Sequence, residues 1–359
     1  MNPIARLRLA ALVPLLAALT LSGCKREAMP SDESTGPAST ATIRVAYIPK
    51  NSGNPYFDGI VDGMRRGCEE LGATFETAAP AQPDAGAQIS IVKDQIQRRA
   101  SVICISPNSP DALNAVFDDA RARGIKVITV NSDVPGNEAH RDAAVLPTDF
   151  DVLGESQIEL LGQFIGYEGQ FAILSATTDA PDQNHWIAGM KAALKQPKYA
   201  KMQLVTVVYG DDKDLKSVTE AESLLTKYPE LRGILAPTAV GLAAAARVVE
   251  AAGVYPNGAN VSQRVGGKGV VVTGLGTPNA MRRFLKDGIV PAAALWSPPD
   301  QGYVAAYLAV GLGRKSIEAR PGTSFTVPGI GARAFRQSNV VIAGPPLVFT
   351  KDNVDQFRF

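Results

Sequence analysis

Histidine and cysteine are scarce in this sequence of 359 residues, which contains two histidines and three cysteines. His140 and His185 lie far apart and have no cysteine at metal-ligand spacing, so the sequence argues against a histidine-based zinc site and against a catalytic triad. Cys68 and Cys104 lie in the globular part. We expect both to be buried free thiols, because two cysteines in a large domain do not require a disulfide.

The sequence also has no large excess of positive or of negative residues. The chain has 36 Lys and Arg against 35 Asp and Glu, a net charge of +1, and its globular part has no Lys/Arg run. Such a chain has no strong field to attract nucleic acid, and we expect no nucleic-acid partner. With 45% hydrophobic and 20% charged residues the bulk is globular, and its length suits two domains.

One apolar run stands out near the start of the chain, from Leu9 to Leu21 with Pro14 inside it. It is too short to span a bilayer, but after Arg6 and Arg8 it has the form of the apolar region of a secretory signal. We therefore predict a signal peptide over residues 1–24 and an exported protein.

The apolar run ends in LSGC, which resembles the lipobox of bacterial lipoproteins. That resemblance implies a diacylglyceryl group on Cys24; the alternative is an ordinary cleavable signal with a chance cysteine. At about 0.8 kcal/mol per buried CH₂, two or three acyl chains would hold the protein on a membrane. Residues 25–42 have almost no large apolar side chain, so they predict a disordered tether between lipid and domain. The expected location is the periplasm or cell surface.

Strand-like apolar runs alternate with helical periodicities from Thr42 onward, and the pattern repeats after Thr148. Strands are predicted over residues 43–49, 102–106, 127–130, 171–176, 202–209, 233–236, 269–274 and 291–296. Helices are predicted over residues 56–71, 89–99, 110–123, 149–164, 183–194, 215–227, 241–252, 278–286 and 300–312, before a final non-helical stretch. This alternation predicts an α/β fold with two doubly wound parallel-sheet lobes.

Ligands of parallel sheets bind at the carboxyl ends of the strands, so residues directly after each strand are site candidates. Lys50, Asn54, Tyr56 and Phe57 follow the first strand. Aromatic faces can stack on the C–H face of a sugar, while Lys and Asn can bond its hydroxyls. The alternative is a helix start whose aromatics enter the core, and the residues alone leave the two interpretations about even.

Short polar side chains follow two further strands. Asn131, Ser132 and Asp133 come after the strand 127–130, where they either make a turn or cap, or bind ligand hydroxyls. Asp182 and Gln183 stand where the next lobe's first strand gives way to a helix. Asp182 is either a helix N-cap or a carboxylate that accepts hydroxyl protons in a cleft.

The remaining strand ends carry groups that are individually ordinary turns but collectively surround one cleft. We assign these positions to the ligand site as well: Pro237, Thr238, Ala239, Gly276, Trp296 and Ser297. Trp186 is expected either in the hydrophobic core or in the wall of the cleft.

Seven stretches spread over nearly the whole mature domain carry a family resemblance: YIPKNSGNPYF, VICISPNSPDAL, DQNHWI, VVYGDDKDLKS, ILAPTAVGLAAAA, GLGTPNAM and LWSPPDQGY. With them the chain resembles the periplasmic sugar-binding proteins of ABC transporters that have the type I, ribose-binding-protein-like fold. Within that group it is most similar to the rhamnose-binding and autoinducer-2-binding proteins.

The resemblance implies ligand contacts at specific positions. The matching residues are Lys50, Phe57, Asp182, Gln183, Pro237 and Ala239. Two positions depart from the autoinducer-2 pattern: Asn131 replaces an Asp of the first lobe, and Ser297 stands near the last-strand Asp. These changes remove two possible carboxylates and leave the identity of the sugar open.

The mechanism implied by the resemblance is closure of two lobes on a sugar, followed by delivery to a membrane permease. It implies a three-strand hinge with crossings near Thr148, Ser297 and Arg333. The N-terminal lobe is then expected over residues 43–147 and 298–332, and the C-terminal lobe over residues 148–297 and 333–359. No cofactor, metal or catalytic residue is expected, and the protein is predicted not to be an enzyme.

The sequence also bears on three other functions. A Rossmann dehydrogenase is disfavoured because the glycine motif at 274–279, GLGTPN, lacks its third glycine and comes late in the chain. A sugar-responsive repressor would need a DNA-binding segment where the apolar run and tether stand. A sensor that presents autoinducer-2 or a sugar to a receptor is the alternative that stays open.

Overall fold

The computed structural model describes residues 42–359, so the predicted signal peptide, Cys24 and nearly all of the predicted tether lie outside the described residues. The strands are β1 (Arg44–Ile48), β2 (Thr74–Thr77), β3 (Val102–Ile105), β4 (Lys126–Val130), β5 (Ala143–Leu146), β6 (Glu168–Ser175), β7 (Lys201–Tyr209), β8 (Leu231–Ala236), β9 (Val271–Gly274), β10 (Ala293–Leu295), β11 (Ser324–Val327), β12 (Gly331–Ala334), β13 (Val340–Ile342) and β14 (Leu347–Phe349). The helices are α1 (Pro55–Glu70), α2 (Ala85–Gln97), α3 (Asn114–Ala122), α4 (Phe150–Ile165), α5 (Pro181–Ala193), α6 (Asp214–Lys227), α7 (Ala239–Ala252), α8 (Pro278–Lys286) and α9 (Pro298–Gly313). No helix within residues 42–359 is long and apolar enough to cross a membrane.

The first lobe is built on a parallel sheet with the strand order β13-β5-β4-β3-β1-β2. Successive side chains of β1 enter different apolar clusters: Val45 and Tyr47 pack with α1 and α9, whereas Ala46 and Ile48 pack with α2 and α3. Because both faces are covered, the central strands are continuous apolar runs. This explains why their short sequences predicted buried strands.

The second lobe repeats the plan on a parallel sheet with the order β7-β6-β8-β9. Strand β10 continues beside the end of β9 through a parallel bridge between Leu275 and Ala294, and it pairs with β14 in antiparallel fashion. Helices α4 and α5 form one packed pair and α6 and α7 another. The predicted α/β fold class with two parallel-sheet lobes is confirmed.

Three connections join the lobes: the one from β5 to α4, the one from β10 to α9, and the one from β13 to β14. The first two fall at the predicted crossings. The third does not lie near Arg333, which is in β12 and pairs with Phe325 of β11. Instead β13 extends the first sheet beside β5, and the amides of Ala343 and Gly344 donate to Leu146 and Pro147. The outer edge of β5 is thereby paired, and the crossing moves to residues 343–346.

Helix α1 is fixed to α9 by close backbone contact. A Cβ at Gly63 would overlap the carbonyl oxygen of Pro299, and a Cβ at Gly302 would overlap that of Ile60. Glycine therefore lets two helix backbones touch. The contact sets the position of the α1 N-terminus, where Tyr56 and Phe57 lie.

Candidate functional site

A cleft lies between the two lobes at the carboxyl ends of their strands and encloses a cavity of about 40 Å³. The predicted site residues that line it are Lys50, Asn54, Tyr56, Phe57, Asn131, Asp182, Gln183, Pro237, Thr238, Ala239 and Trp296. The strand-end rule therefore located one continuous surface from segments far apart in the chain.

Four predicted site residues lie elsewhere because local structure uses their polar groups or encloses them. Asp133 pairs with Arg141 and accepts a hydrogen bond from Thr129. Ser297 caps α9 by accepting from the amide of Asp300. The amide of Gly276 donates to Ala294 of β10. Ser132 is fully buried and does not line the cleft.

One carboxylate of the second lobe contacts two side chains of the first lobe across the cleft. Lys50 of the first lobe donates to Oδ1 of Asp182 in the second lobe, with 2.5 Å between Nζ and Oδ1. Asn131 of the first lobe donates from Nδ2 to the other oxygen of the same carboxylate at 3.2 Å. The Lys50 and Asp182 side chains are 5% and 3% exposed. The two lobes therefore share a buried ion pair in this arrangement.

Asp182 is not a helix cap. Ala180 occupies the N-cap position of α5 and its side chain makes no cap, while Asp182 lies in the first turn, where the helix dipole favours a negative charge. The next residue, Gln183, uses its side-chain oxygen to accept from the Ser175 hydroxyl at 2.9 Å and from the Ala176 amide at 2.8 Å. Gln183 thereby fixes the start of α5 against the end of β6, with Asp182 facing the first lobe.

Tyr56 ties the α1 N-terminus to the hinge. Asn54 caps α1 by accepting from the Tyr56 amide. The Tyr56 hydroxyl donates to Oδ1 of Asn131 at 2.5 Å and accepts from the indole nitrogen of Trp296 at 2.7 Å. Burial raises the pKa of Tyr56 well above its ordinary value, so the phenol stays protonated. Tyr56 therefore has a structural role at the start of α1, and it also lines the cleft.

Aromatic rings form the apolar wall of the cleft. Trp186 and Trp296 lie with ring centroids 5.8 Å apart, and Tyr56 and Phe57 meet edge to face at 5.1 Å. Trp186 also packs edge to face on Phe150 of α4. Its indole nitrogen is buried and has no hydrogen-bond partner within residues 42–359. The wall can hold the C–H face of a small polar ring.

Four lining residues were not assigned to the site from the sequence: Trp186, Asp212, Leu275 and Leu295. Asp212 follows β7 by three residues, so the same strand-end rule could have found it. It has a left-handed backbone, with φ of 49°, and accepts a hydrogen bond from the Thr238 hydroxyl. Burial raises its pKa, while the Thr238 hydrogen bond and the Lys50 charge act in the opposite direction.

The two cysteines of the globular part are free and buried, as predicted. Burial raises the pKa of Cys68 to about 12 and that of Cys104 well above its ordinary value, so both are unreactive thiols. Within residues 42–359 no group of three or more His, Cys, Asp or Glu side chains is placed to hold a metal ion.

Family comparison agrees with this architecture. The chain belongs to the periplasmic binding protein domain family, whose pattern matches residues 45–315. The resemblance found in the sequence is therefore confirmed at the level of the family.

Solved structures and a curated relative make the likeness more specific. An ABC transporter solute-binding protein from Clostridium phytofermentas, solved with bound L-rhamnose, is 30% identical, covers 88% of this chain and 98% of its own, and superposes with a TM-score of 0.81. LsrB from Clostridium saccharobutylicum in complex with AI-2 is 22% identical with a TM-score of 0.79 over 88% of this chain and all of its own, which shows the shared fold. The ribose import binding protein of Bacillus subtilis (strain 168) is 24% identical over 225 residues, 62% of this chain and 70% of that protein.

Proposed function

We propose that this protein is the extracytoplasmic sugar-binding component of an ABC importer, and that it captures rhamnose or a related monosaccharide between its lobes for delivery to a permease. The observation that carries the proposal is the interlobe cleft, where Lys50, Asn131 and Asp182 meet beside an aromatic wall. The family match and the rhamnose-bound relative support the same assignment. The location follows from the family and from the apolar N-terminal run.

The geometry suits a neutral sugar ring. Hydroxyls both donate and accept hydrogen bonds, and the cleft offers an ammonium and amide donors together with carboxylate acceptors. Trp186, Trp296 and Phe57 supply flat apolar surface for the C–H face of the ring. Because the polar groups come from both lobes, the ligand completes its contacts only when the lobes close.

Binding is the whole function in this proposal, and no reaction is assigned to the cleft. Lys50 and Asp182 already bond each other, and Gln183 is held by β6, so these groups orient and recognise a ligand. A sugar hydroxyl that enters between them exchanges protein–protein hydrogen bonds for protein–ligand ones. Each such charge-assisted bond contributes about 1.5–3 kcal/mol.

A thermal-unfolding screen of the purified protein tests the proposal. The panel holds L-rhamnose, other deoxysugars, pentoses, hexoses and autoinducer-2. A ligand at a hundred times its dissociation constant stabilises the folded state by about 2.7 kcal/mol, which raises the unfolding temperature measurably. Calorimetry on the best ligand should then give one site per chain. If every member of the panel leaves the unfolding temperature unchanged, sugar capture is the wrong function.

Attachment to the membrane is part of the proposal. The LSGC sequence ending at Cys24 supports a lipid-modified N-terminus, followed by the tether over residues 25–42. Such a chain holds the binding domain near a permease while leaving the lobes free to close.

A further inference from the structure

The charges that face the cleft do not balance. Among its lining residues one side chain is a cation, Lys50, and two are carboxylates, Asp182 and Asp212. Asp182 already holds Lys50 and Asn131 with its two oxygens. Asp212 is therefore left without a cationic partner of its own.

Asp212 presents an unused acceptor to the cleft. One of its oxygens accepts from Thr238, and the other has no hydrogen-bond partner within residues 42–359. The side chain is close enough to Lys50 and Asp182 for both charges to affect its pKa. A carboxylate so placed can accept a hydroxyl proton from a molecule that also touches Asp182.

The loop that carries Asp212 is held in an uncommon conformation. Asp211 and Asp212 both have left-handed backbones, with φ of 55° and 49°. The amides of Gly210 and Asp211 donate to the end of β6, at Ser175 and Ala176. Non-glycine residues in this region cost free energy and persist where the surrounding structure imposes them. The loop is thus fixed to the same strand end that positions Gln183.

We propose that Asp212 is a ligand-binding and specificity-determining residue, whose free carboxylate oxygen accepts a sugar hydroxyl. Asn131 is an amide, so the first lobe has no carboxylate at that position. Asp212 supplies a carboxylate from the second lobe. Because the cleft then holds more negative than positive charge, it selects uncharged sugars over sugar acids of similar size. This inference rests on the proposed sugar-binding function and adds a residue and a ligand class to it.

The test compares Asp212→Asn with a matched control in the same loop, Asp211→Asn. Asp211 has the same left-handed backbone but pairs with Lys216 at 2.7 Å and does not line the cleft. Calorimetry measures binding of L-rhamnose, or of the panel sugar with the largest thermal shift, and of D-galacturonate. For Asp212→Asn the affinity for the neutral sugar should fall roughly tenfold to a hundredfold, and discrimination against galacturonate should shrink. Asp211→Asn should match the wild type in both measurements.

Folding is checked without sugar. Since burial raises the pKa of Asp212, the folded state disfavours its ionised form, and the amide should not lower the unfolding temperature at neutral pH. Unchanged sugar affinity in Asp212→Asn, or equal losses in both variants, would overturn the assignment while leaving sugar capture in place. Absence of binding by the wild-type protein to every panel sugar would instead remove the proposed function and this inference together.

Discussion

At the scale of single residues, the Lys50–Asp182 ion pair is a buried contact between the lobes. Both side chains are almost fully buried, and their charged atoms lie 2.5 Å apart. Two buried charges gain little net stability from each other, because both lose hydration. Removing one partner is different, since an uncompensated buried charge costs about 3–5 kcal/mol. Loss of either residue is therefore expected to disfavour the arrangement in which the two side chains meet.

Lys50→Met should shift the sugar-free protein toward an open arrangement. The Asp182 carboxylate would have no cationic partner in the closed arrangement, whereas water would hydrate it in the open one. Small-angle X-ray scattering should show a larger radius of gyration for this variant than for the wild type under the same conditions. Lys195→Met is the control, because Lys195 is exposed, lies just beyond α5 and makes no ion pair within residues 42–359. Identical scattering from all three proteins would mean that the ion pair does not hold the lobes together.

At the scale of secondary-structure elements, the contact between α1 and α9 connects the hinge to the cleft. Helix α9 begins directly after the second crossing, and α1 begins with two aromatics that line the site. The helices touch along Gly63, Gly67 and Gly302, where there is no room for a Cβ. Because Tyr56 is at the start of α1, this contact also sets the position of Tyr56 at the cleft.

Gly63→Ala should destabilise the protein by about 1–3 kcal/mol, because the added methyl forces the packed backbones apart. Chemical denaturation measures the loss. The control is Asp62→Ala, which lies one position away on the solvent-facing side of α1 and should leave stability nearly unchanged. Equal stability of Gly63→Ala and the wild type would show that the two helices accommodate the methyl group.

At the scale of the whole molecule, the fold is two parallel-sheet lobes joined by three connections, and the proposed lipid anchor determines where they work. Cys24→Ala should move the protein from the membrane fraction to the soluble fraction of the cell envelope, because stable anchoring needs the acyl chains. Immunoblotting of the fractions measures this. Cys68→Ala, which changes a buried cysteine of the domain, should stay with the membrane. Membrane association that survives loss of Cys24 would contradict the anchor.

The amino-acid sequence by itself determined the alternation of helices with the central apolar strands, and the strand ends at which candidate site residues lie. Apolar runs such as Val102–Ile105 are local patterns, and parallel topology brings the residues after them to one edge. Strands β2 and β5 were not predicted. The edge strand β2 is only partly buried, and β5 is the short sequence AAVL, half of which is alanine, a weak strand former.

Only the tertiary structure decided which residues at a strand end face the cleft. Asn131 has a left-handed backbone with φ of 69° and turns its amide toward Asp182, while the adjacent Ser132 is enclosed and Asp133 pairs with Arg141. The structure likewise brought Asp212 to the site and moved the third crossing beyond β13. These outcomes depend on contacts between segments that are far apart in the chain. Such contacts fix the backbone conformation at a strand end and the partner of each strand, and the local sequence does not specify them.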